Sequence, residues 1–311
     1  MSSQFRIAII GRTEILYNTT LELLGAGYSI ACIVTAKEAP EYARTVADFR
    51  ALAERLQVPF VSGTPIDNHF ELLKRSGANI AISINYAGII PQHIIDLFPL
   101  GILNAHGGDL PRYRGNACQA WAILNGESSI GLCIHRMIGG ELDSGDIIAR
   151  DHLLINQDTK VTAVWDWMIG ATPHLILSAV ANLVANSEYV LEKQSGNPRD
   201  ALRCYPRAPE DGRINWDQPA LDILRLINAS NKPYAGAFCK FQGDHMIIWD
   251  AELSIDEEIF CAVPGQVISV GRGFIDIACG TGKLRVKKVQ ITGKEECTPD
   301  ILISSIRKRL A

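Results

Sequence analysis

Phe5–Ile10 is a short, largely apolar and β-branched run, the pattern of a strand covered on both faces. Helical spacing follows across Ile15–Leu24, closed by Gly25 and Gly27, and a second apolar run covers Tyr28–Val34. Arg44–Leu56 and Asp67–Lys74 read as helices and Asn79–Ile84 as another buried strand. Pro91–Phe98 reads as a short helix with Pro91 at its first position, and Gly101–Asn104 as the next strand. Strands alternating with helices in this way predict an α/β fold: a Rossmann-like, doubly wound, mostly parallel sheet. A helix over Ala117–Leu124 ends at Asn125-Gly126, and Ser129–Met137 and Asp146–Ile155 read as strands. Val161–Leu191 reads as helical, with a break near Thr172-Pro173.

The pattern then changes. Gln194–Pro198 is polar and holds Gly and Pro, as in a linker. Beyond it come one helix, Pro219–Asn228, and five short strands: Ala235–Lys240, His245–Asp250, Gly265–Val270, Gly273–Ala278 and Leu284–Ile291. A last helix is expected over Pro299–Leu310. Short strands at this spacing predict a smaller antiparallel barrel-like (OB-like) C-terminal domain. The expected division is 1–193 for the α/β domain, 194–205 for the linker and 206–311 for the barrel-like domain.

A hydrophobic fraction of 47% and a charged fraction of 21% over 311 residues are those of a globular chain with a proper core. The formal charge of −4 gives no global attraction to nucleic acid or to an anionic membrane, and neither is expected as a partner. Met1–Arg6 lacks the basic and apolar regions of a signal peptide, so a cytoplasmic location is expected. The apolar segment Ala163–Ala185 carries Asp166, Thr172, Pro173, His174 and Asn182, which suits a buried helix better than a membrane span. The eight cysteines never fall as C-x-x-C and read as reduced thiols, with no metal site expected.

After the first strand the chain reads Gly11-Arg12-Thr13-Glu14. A dinucleotide fingerprint would need three spaced glycines there, so that bare backbone can approach a pyrophosphate. One glycine followed by bulky Arg12 and Glu14 does not support NAD binding.

The stretch with chemistry in it is Asn104-Ala105-His106-Gly107-Gly108-Asp109-Leu110-Pro111-Arg112-Tyr113-Arg114-Gly115. Asn104 is expected where a buried strand meets a loop, at the carboxyl edge where α/β sheets place ligands. Residues two apart on extended chain point to one side, so Asn104 and His106 can supply an amide and an imidazole to one reacting atom. A second segment runs Ile138-Gly139-Gly140-Glu141-Leu142-Asp143-Ser144-Gly145, a Gly-Gly loop that presents Asp143 between two strands.

Together, N-x-H, L-P-x-Y-R-G and Leu142-Asp143-Ser144-Gly145 resemble the folate-dependent formyltransferase family. That family includes methionyl-tRNA formyltransferases, glycinamide ribonucleotide transformylases and nucleotide-sugar N-formyltransferases. Tyr86–Pro91 resembles the family's Y-G-x-I-L-P element. Arg207–Trp216 and Pro233–Phe238 resemble the start of its C-terminal domain, which the glycinamide ribonucleotide enzymes lack. Ile134-His135-Arg136-Met137 and the Tyr113-Arg114-Gly115 loop look most like the enzymes acting on UDP-4-amino-4-deoxy-L-arabinose.

The resemblance implies a 10-formyltetrahydrofolate-dependent N-formyltransferase of surface-glycan or lipopolysaccharide biosynthesis. Its amine would sit on a nucleotide-linked 4-amino-4-deoxy or 4,6-dideoxy sugar. It implies catalytic Asn104, His106 and Asp143, with the two donors on the formyl oxygen and Asp143 holding and raising the His106 imidazolium. It implies folate contacts from Gly88, Ile89, Ile90, Gly139, Gly140, Glu141 and Leu142, sugar-nucleotide contacts from Tyr113, Arg114 and Asn116, and no metal, and it allows for a homodimer. The chain departs from the family at H-x-S-L-L-P, where Gly108 and Asp109 replace serine and leucine, and at Asn116, where the arabinose-type enzyme has arginine. Both departures bear on which amine is used. The alternative amine is methionyl-tRNA. Against it, Lys37-Glu38-Ala39-Pro40-Glu41 lacks the basic insertion of the tRNA enzymes. Hydrolysis of formylfolate is a further alternative, as is folate binding without transfer, which an intact Asn–His–Asp set argues against.

Overall fold

The structure, a computed structural model, describes residues 5–254 and 258–311. The chain begins β1 (Arg6–Gly11), α1 (Glu14–Gly25), β2 (Ser29–Thr35), α2 (Val46–Leu56) and β3 (Phe60–Ser62). It continues through α3 (Phe70–Ser76), β4 (Ile80–Ile84), α4 (Gln92–Ile95), β5 (Ile102–His106), β6 (Arg114–Gly115) and α5 (Cys118–Leu124). Then come β7 (Ser129–Arg136), β8 (Ile147–Leu154), α6 (Val161–Ala185), β9 (Arg203–Cys204) and α7 (Ala220–Ala229). The last strands are β10 (Ala237–Phe241), β11 (Asp244–Leu253), β12 (Val267–Gly271), β13 (Phe274–Ala278), β14 (Lys283–Ile291) and β15 (Glu296–Cys297). The chain folds as two units. Of the described residues, one holds 5–115, 130–153 and 165–204, and the other 116–129, 154–164, 205–254 and 258–311.

In the first unit seven strands lie in the order β3-β2-β1-β4-β5-β7-β8. The β2–β3, β1–β2, β1–β4 and β4–β5 ladders are parallel, and β5–β7 is antiparallel. The chain steps outward from β1 to β3 and then returns to β4 beside β1, so the sheet is doubly wound. Both faces are covered. Ile7 and Ile9 enter one apolar cluster while Ala8 and Ile10 enter another, as strand alternation requires. The lone glycine of the first turn serves packing. A Cβ on Gly11 would stand 2.0 Å from the Ile84 carbonyl oxygen, so only glycine lets β1 and β4 run this close. Glu14 is nearly buried, taking the Ala43 backbone N–H at 3.0 Å and the Trp165 indole N–H at 2.9 Å.

In this first unit three sequence expectations change. β5 runs on to His106, two residues past the expected end, because its ladder with β7 continues to the His106–Cys133 pair. α6 passes through Pro173 unbroken and ends at Ala185. A mid-helix proline costs about 3 kcal/mol. Met168 before it and Ile176, Ala179, Val180 and Leu183 after it are all buried in one cluster, and that burial holds both halves in line. Residues 194–205, expected to be a linker, carry β9, which pairs in parallel with β6.

The second unit holds a sheet in the order β10-β11-β14-β13-β12, antiparallel throughout, with β15 on β14. α7 lies against it, burying Ile223, Leu224 and Ile227 in the apolar core. The expected last helix is only a 3-10 turn at Pro299–Ile301. The chain end is extended instead. Ala311 exchanges backbone hydrogen bonds with Lys240 of β10, while Lys308 and Leu310 bond Val267 of β12 and the nearby Gly265. The last residues thereby join the two edge strands and make the sheet barrel-like. Pairing with two open edges outweighs a helical propensity that would have left both edges bare.

Candidate active site

Asn104 and His106 lie two apart on β5, on the same side of the strand. Across the antiparallel ladder Asn104 stands opposite His135 of β7, and His106 opposite Cys133. The two imidazoles meet edge to face with centroids 6.2 Å apart. The Asn104 Nδ2 is 3.2 Å from His135 Nε2.

The loop after β5 turns back on the His106 ring. His106 Nε2 donates to the Tyr113 carbonyl oxygen at 2.6 Å. A carbonyl carries no hydrogen, so Nε2 holds the ring proton. Gly108 permits this approach, since a Cβ there would lie 2.3 Å from the Tyr113 oxygen and 2.6 Å from Nε2. The replacement of the family's serine by Gly108 is thus tied to the way this loop closes on His106. The Tyr113 ring is buried and stacked beside the Arg112 guanidinium, so what Tyr113 brings to the site is its carbonyl.

Asp143 reaches the same cluster from the loop between β7 and β8. One carboxylate oxygen accepts the Gly115 backbone N–H at 2.9 Å and stands 3.5 Å from His106 Nδ1. The other oxygen stands 3.4 Å from His135 Nε2. The residue is left-handed, with φ 46°, an uncommon conformation for anything but glycine, Asn or Asp. Gln194 holds it there: its Nε2 donates to the carbonyls of Asp143 at 2.8 Å and Gly145 at 2.7 Å. The Gln194 Oε1 in turn accepts from Arg114 at 2.7 Å. Gln194 lay in a polar stretch with no motif, and nothing in the sequence singled it out.

Burial is the dominant influence on His106 and pushes its pKa down. The nearby Asp143 carboxylate and the Tyr113 carbonyl pull the other way and are outweighed. Asp143 raises the imidazole as expected, but the ring is almost wholly withdrawn from water, so the net direction is down. Burial raises Asp143, but His106, His135 and the Gly115 N–H together overcome this and hold its carboxyl well below the usual carboxylate range. The site thus sets a carboxylate against the Nδ1 edge of an imidazole whose Nε2 carries a proton.

The other expected residues are distributed around this cluster. Ile90 is buried in the core, whereas Gly88 and Ile89 are exposed, Ile89 at 82%. The Gly139 N–H donates to the Gln92 side chain at 2.8 Å, which sets the Gly139–Leu142 loop beside the segment that follows Ile90. Ile138 and Leu142 are exposed on that loop. Arg114, Glu141, Leu142 and Ser144 line one cleft of ≈ 360 Å³ together with Ala201 and Arg203. Residues expected on the folate side and on the sugar side thus share a cavity. Arg114 Nε is buried there without a partner among the described residues. Asn116 is exposed and folds with the second unit. Among the described residues no three His, Cys, Asp or Glu side chains are gathered around a metal position.

Residues 6–180 match the family model described as formyl transferase, and residues 207–307 match that of the formyl transferase C-terminal domain. The methionyl-tRNA formyltransferase of Pelotomaculum thermopropionicum is 30% identical, over 93% of this chain and 91% of its own length. Among solved structures, the chain is similar to an N-formyltransferase from Helicobacter canadensis in complex with folinic acid and dTDP-3-aminofucose. That match has a TM-score of 0.69 at 16% identity, over 91% of this chain and 99% of that one. HypX from Aquifex aeolicus, in complex with tetrahydrofolic acid, matches with a TM-score of 0.65 at 18% identity. It aligns with 97% of this chain, which spans only 47% of HypX.

Proposed function

The chain belongs to the formyltransferase family and is an N-formyltransferase, and we propose that it moves a formyl group from 10-formyltetrahydrofolate to the amine of a nucleotide-linked 4-amino-4-deoxy or 4,6-dideoxy sugar. The observation that carries the transfer reading is the convergence of Asn104, His106 and Asp143 at the carboxyl end of β5. An uncharged amine attacks the formyl carbon, a C–N bond forms, and the bond to N10 of the folate breaks. One proton must pass from the amine to N10.

Each residue has a part that its surroundings suit. The Asn104 amide donates to the formyl oxygen as negative charge builds on it. His106 carries a proton on Nε2, and its Nδ1 faces the Asp143 carboxylate. It can hand the Nε2 proton to N10 once that edge exchanges the Tyr113 carbonyl for substrate, and it can take a proton at Nδ1 on the Asp143 side. Asp143, or a water beside it, accepts the amine's proton. Exposed Ile89, Ile138 and Leu142 offer apolar surface, and the bare backbone of Gly88, Gly139 and Gly140 offers polar edges, for a pteridine.

The nucleotide-sugar reading is supported by the cleft that pairs Arg114 with Arg203, since a guanidinium suits a diphosphate oxygen pair. It is supported also by the Helicobacter canadensis enzyme, whose bound ligand is a dTDP-amino sugar. A cytoplasmic enzyme of surface-glycan synthesis, active as a homodimer, would fit it. A second reading, methionyl-tRNA as acceptor, is favoured by the Pelotomaculum relative, which matches along almost the whole chain. The two separate in one experiment. The enzyme is given 10-formyltetrahydrofolate with UDP-, dTDP- and GDP-linked 4-amino sugars or with charged initiator tRNA, and the products are weighed. A formyl mass on a nucleotide sugar is expected. Formyl-methionine on tRNA with no sugar product would return the protein to translation initiation.

A further inference from the structure

The His135 side chain is 2% exposed and takes no part in the transfer as described above. Its surroundings leave little freedom of assignment. The Nδ1 atom is 2.9 Å from the carbonyl oxygen of Arg136, which can only accept, so Nδ1 carries the proton. In the neutral ring Nε2 then offers a lone pair and needs a donor. Two groups face it: Asn104 Nδ2 at 3.2 Å and an Asp143 oxygen at 3.4 Å. The carboxylate has no hydrogen to give, so the donor is the Asn104 amide.

We propose that His135 is a positioning residue that fixes which end of the Asn104 amide faces the reacting formyl group. An Asn side chain can turn over about its last bond at little cost, exchanging oxygen for nitrogen. With its nitrogen drawn to His135, Asn104 keeps a second N–H to give. Turned over, it would present a carbonyl oxygen to the developing negative charge and repel it. The antiparallel register enforces the pairing, since Asn104 and His135 are directly opposed on β5 and β7 and their side chains stand on one face. A buried histidine that follows the buried apolar residues Leu132, Cys133 and Ile134 thus has a task that an apolar residue of similar volume could not perform.

This inference rests on the formyl-transfer reading, and its test separates the two. His135→Leu, which cannot accept a hydrogen bond, is expected to lower kcat about 100-fold while KM for 10-formyltetrahydrofolate changes less than about threefold. His135→Gln, whose Oε1 can accept the same N–H, is expected within about tenfold of the parent. In an Asn104→Ala background the Leu substitution should cost less than about twofold more, because the group through which it acts is gone. Fully additive losses, near-native turnover in His135→Leu, or a Gln variant as impaired as the Leu variant would each overturn the proposal. An arm that needs no turnover uses 15N-histidine-labelled parent protein at neutral pH, with His135 assigned from the spectrum of His135→Gln. Its signals should report an Nδ1–H tautomer with Nε2 unprotonated. An Nε2–H tautomer overturns the positioning role whatever the activity, whereas the Nδ1–H tautomer in a protein that formylates no amine sinks the transfer reading instead.

Discussion

Gln194 spans two backbone carbonyls of the Asp143 loop with one amide nitrogen, reaching the Asp143 oxygen at 2.8 Å and that of Gly145 at 2.7 Å. A left-handed Asp143 that must keep its carboxylate on His106 is thereby held by a residue 51 positions away in sequence. Gln194→Leu removes both donors and leaves the two carbonyls short of partners. We expect stability to fall by about 1–3 kcal/mol and turnover by about tenfold or more, with urea denaturation and initial rates as the measurements. Native turnover together with native stability would mean that the loop holds its own conformation.

Asn104→Ala and His106→Ala should each lower turnover by about two orders of magnitude or more, the usual cost of losing a donor to a developing oxyanion in the first case and a general acid in the second. Circular dichroism and thermal unfolding should stay close to those of the parent for Asn104→Ala, whose side chain is only half-buried. If either variant turns over like the parent, that residue leaves the mechanism.

The charge on Asp143 pulls the pKa of His106 upward against burial. Asp143→Asn keeps the shape and removes the charge, so the imidazole becomes still harder to protonate. Residual activity in this variant should show its acid limb at lower pH than the parent, read from kcat across pH 5–9 (about the range where His titrates). An unmoved limb with activity retained would make Asp143 a turn residue only.

Because burial lowers His106 in the folded protein, the unfolded chain binds that proton more readily. The neutral imidazole therefore contributes no penalty above the unfolded value of about 6.5, and stability falls as pH drops below it. The slope from one such group is at most about 1.4 kcal/mol per pH unit. Asp143, held low in the folded state, adds a loss of its own only at more acidic pH. Urea midpoints of the parent and of His106→Gln between pH 8 and 5 should converge as pH falls, the variant losing less. Parallel curves would show that His106 titrates alike in both states.

The alternation of apolar runs and helical spacing was enough to read the doubly wound sheet, because a strand buried on both faces must be apolar at nearly every position, as Ile7–Ile10 are. The N-x-H spacing was enough to place Asn104 and His106 on one face, since side-chain alternation along a strand is a property of the local backbone. Other features had no local signature. Pro173 signalled a break, yet the buried residues on either side of it kept α6 whole. Pro299–Leu310 carried helical spacing, yet two open sheet edges drew the chain end into extended pairing. The same holds within the site. The sequence named Asp143 but could not name what holds it, because Gln194, the Gly115 N–H and His135 come from segments that meet only when the sheet has formed. It also gave His106 the wrong balance, since a neighbouring carboxylate can be read from a motif, whereas the loss of water that outweighs it depends on every chain segment packed around the ring.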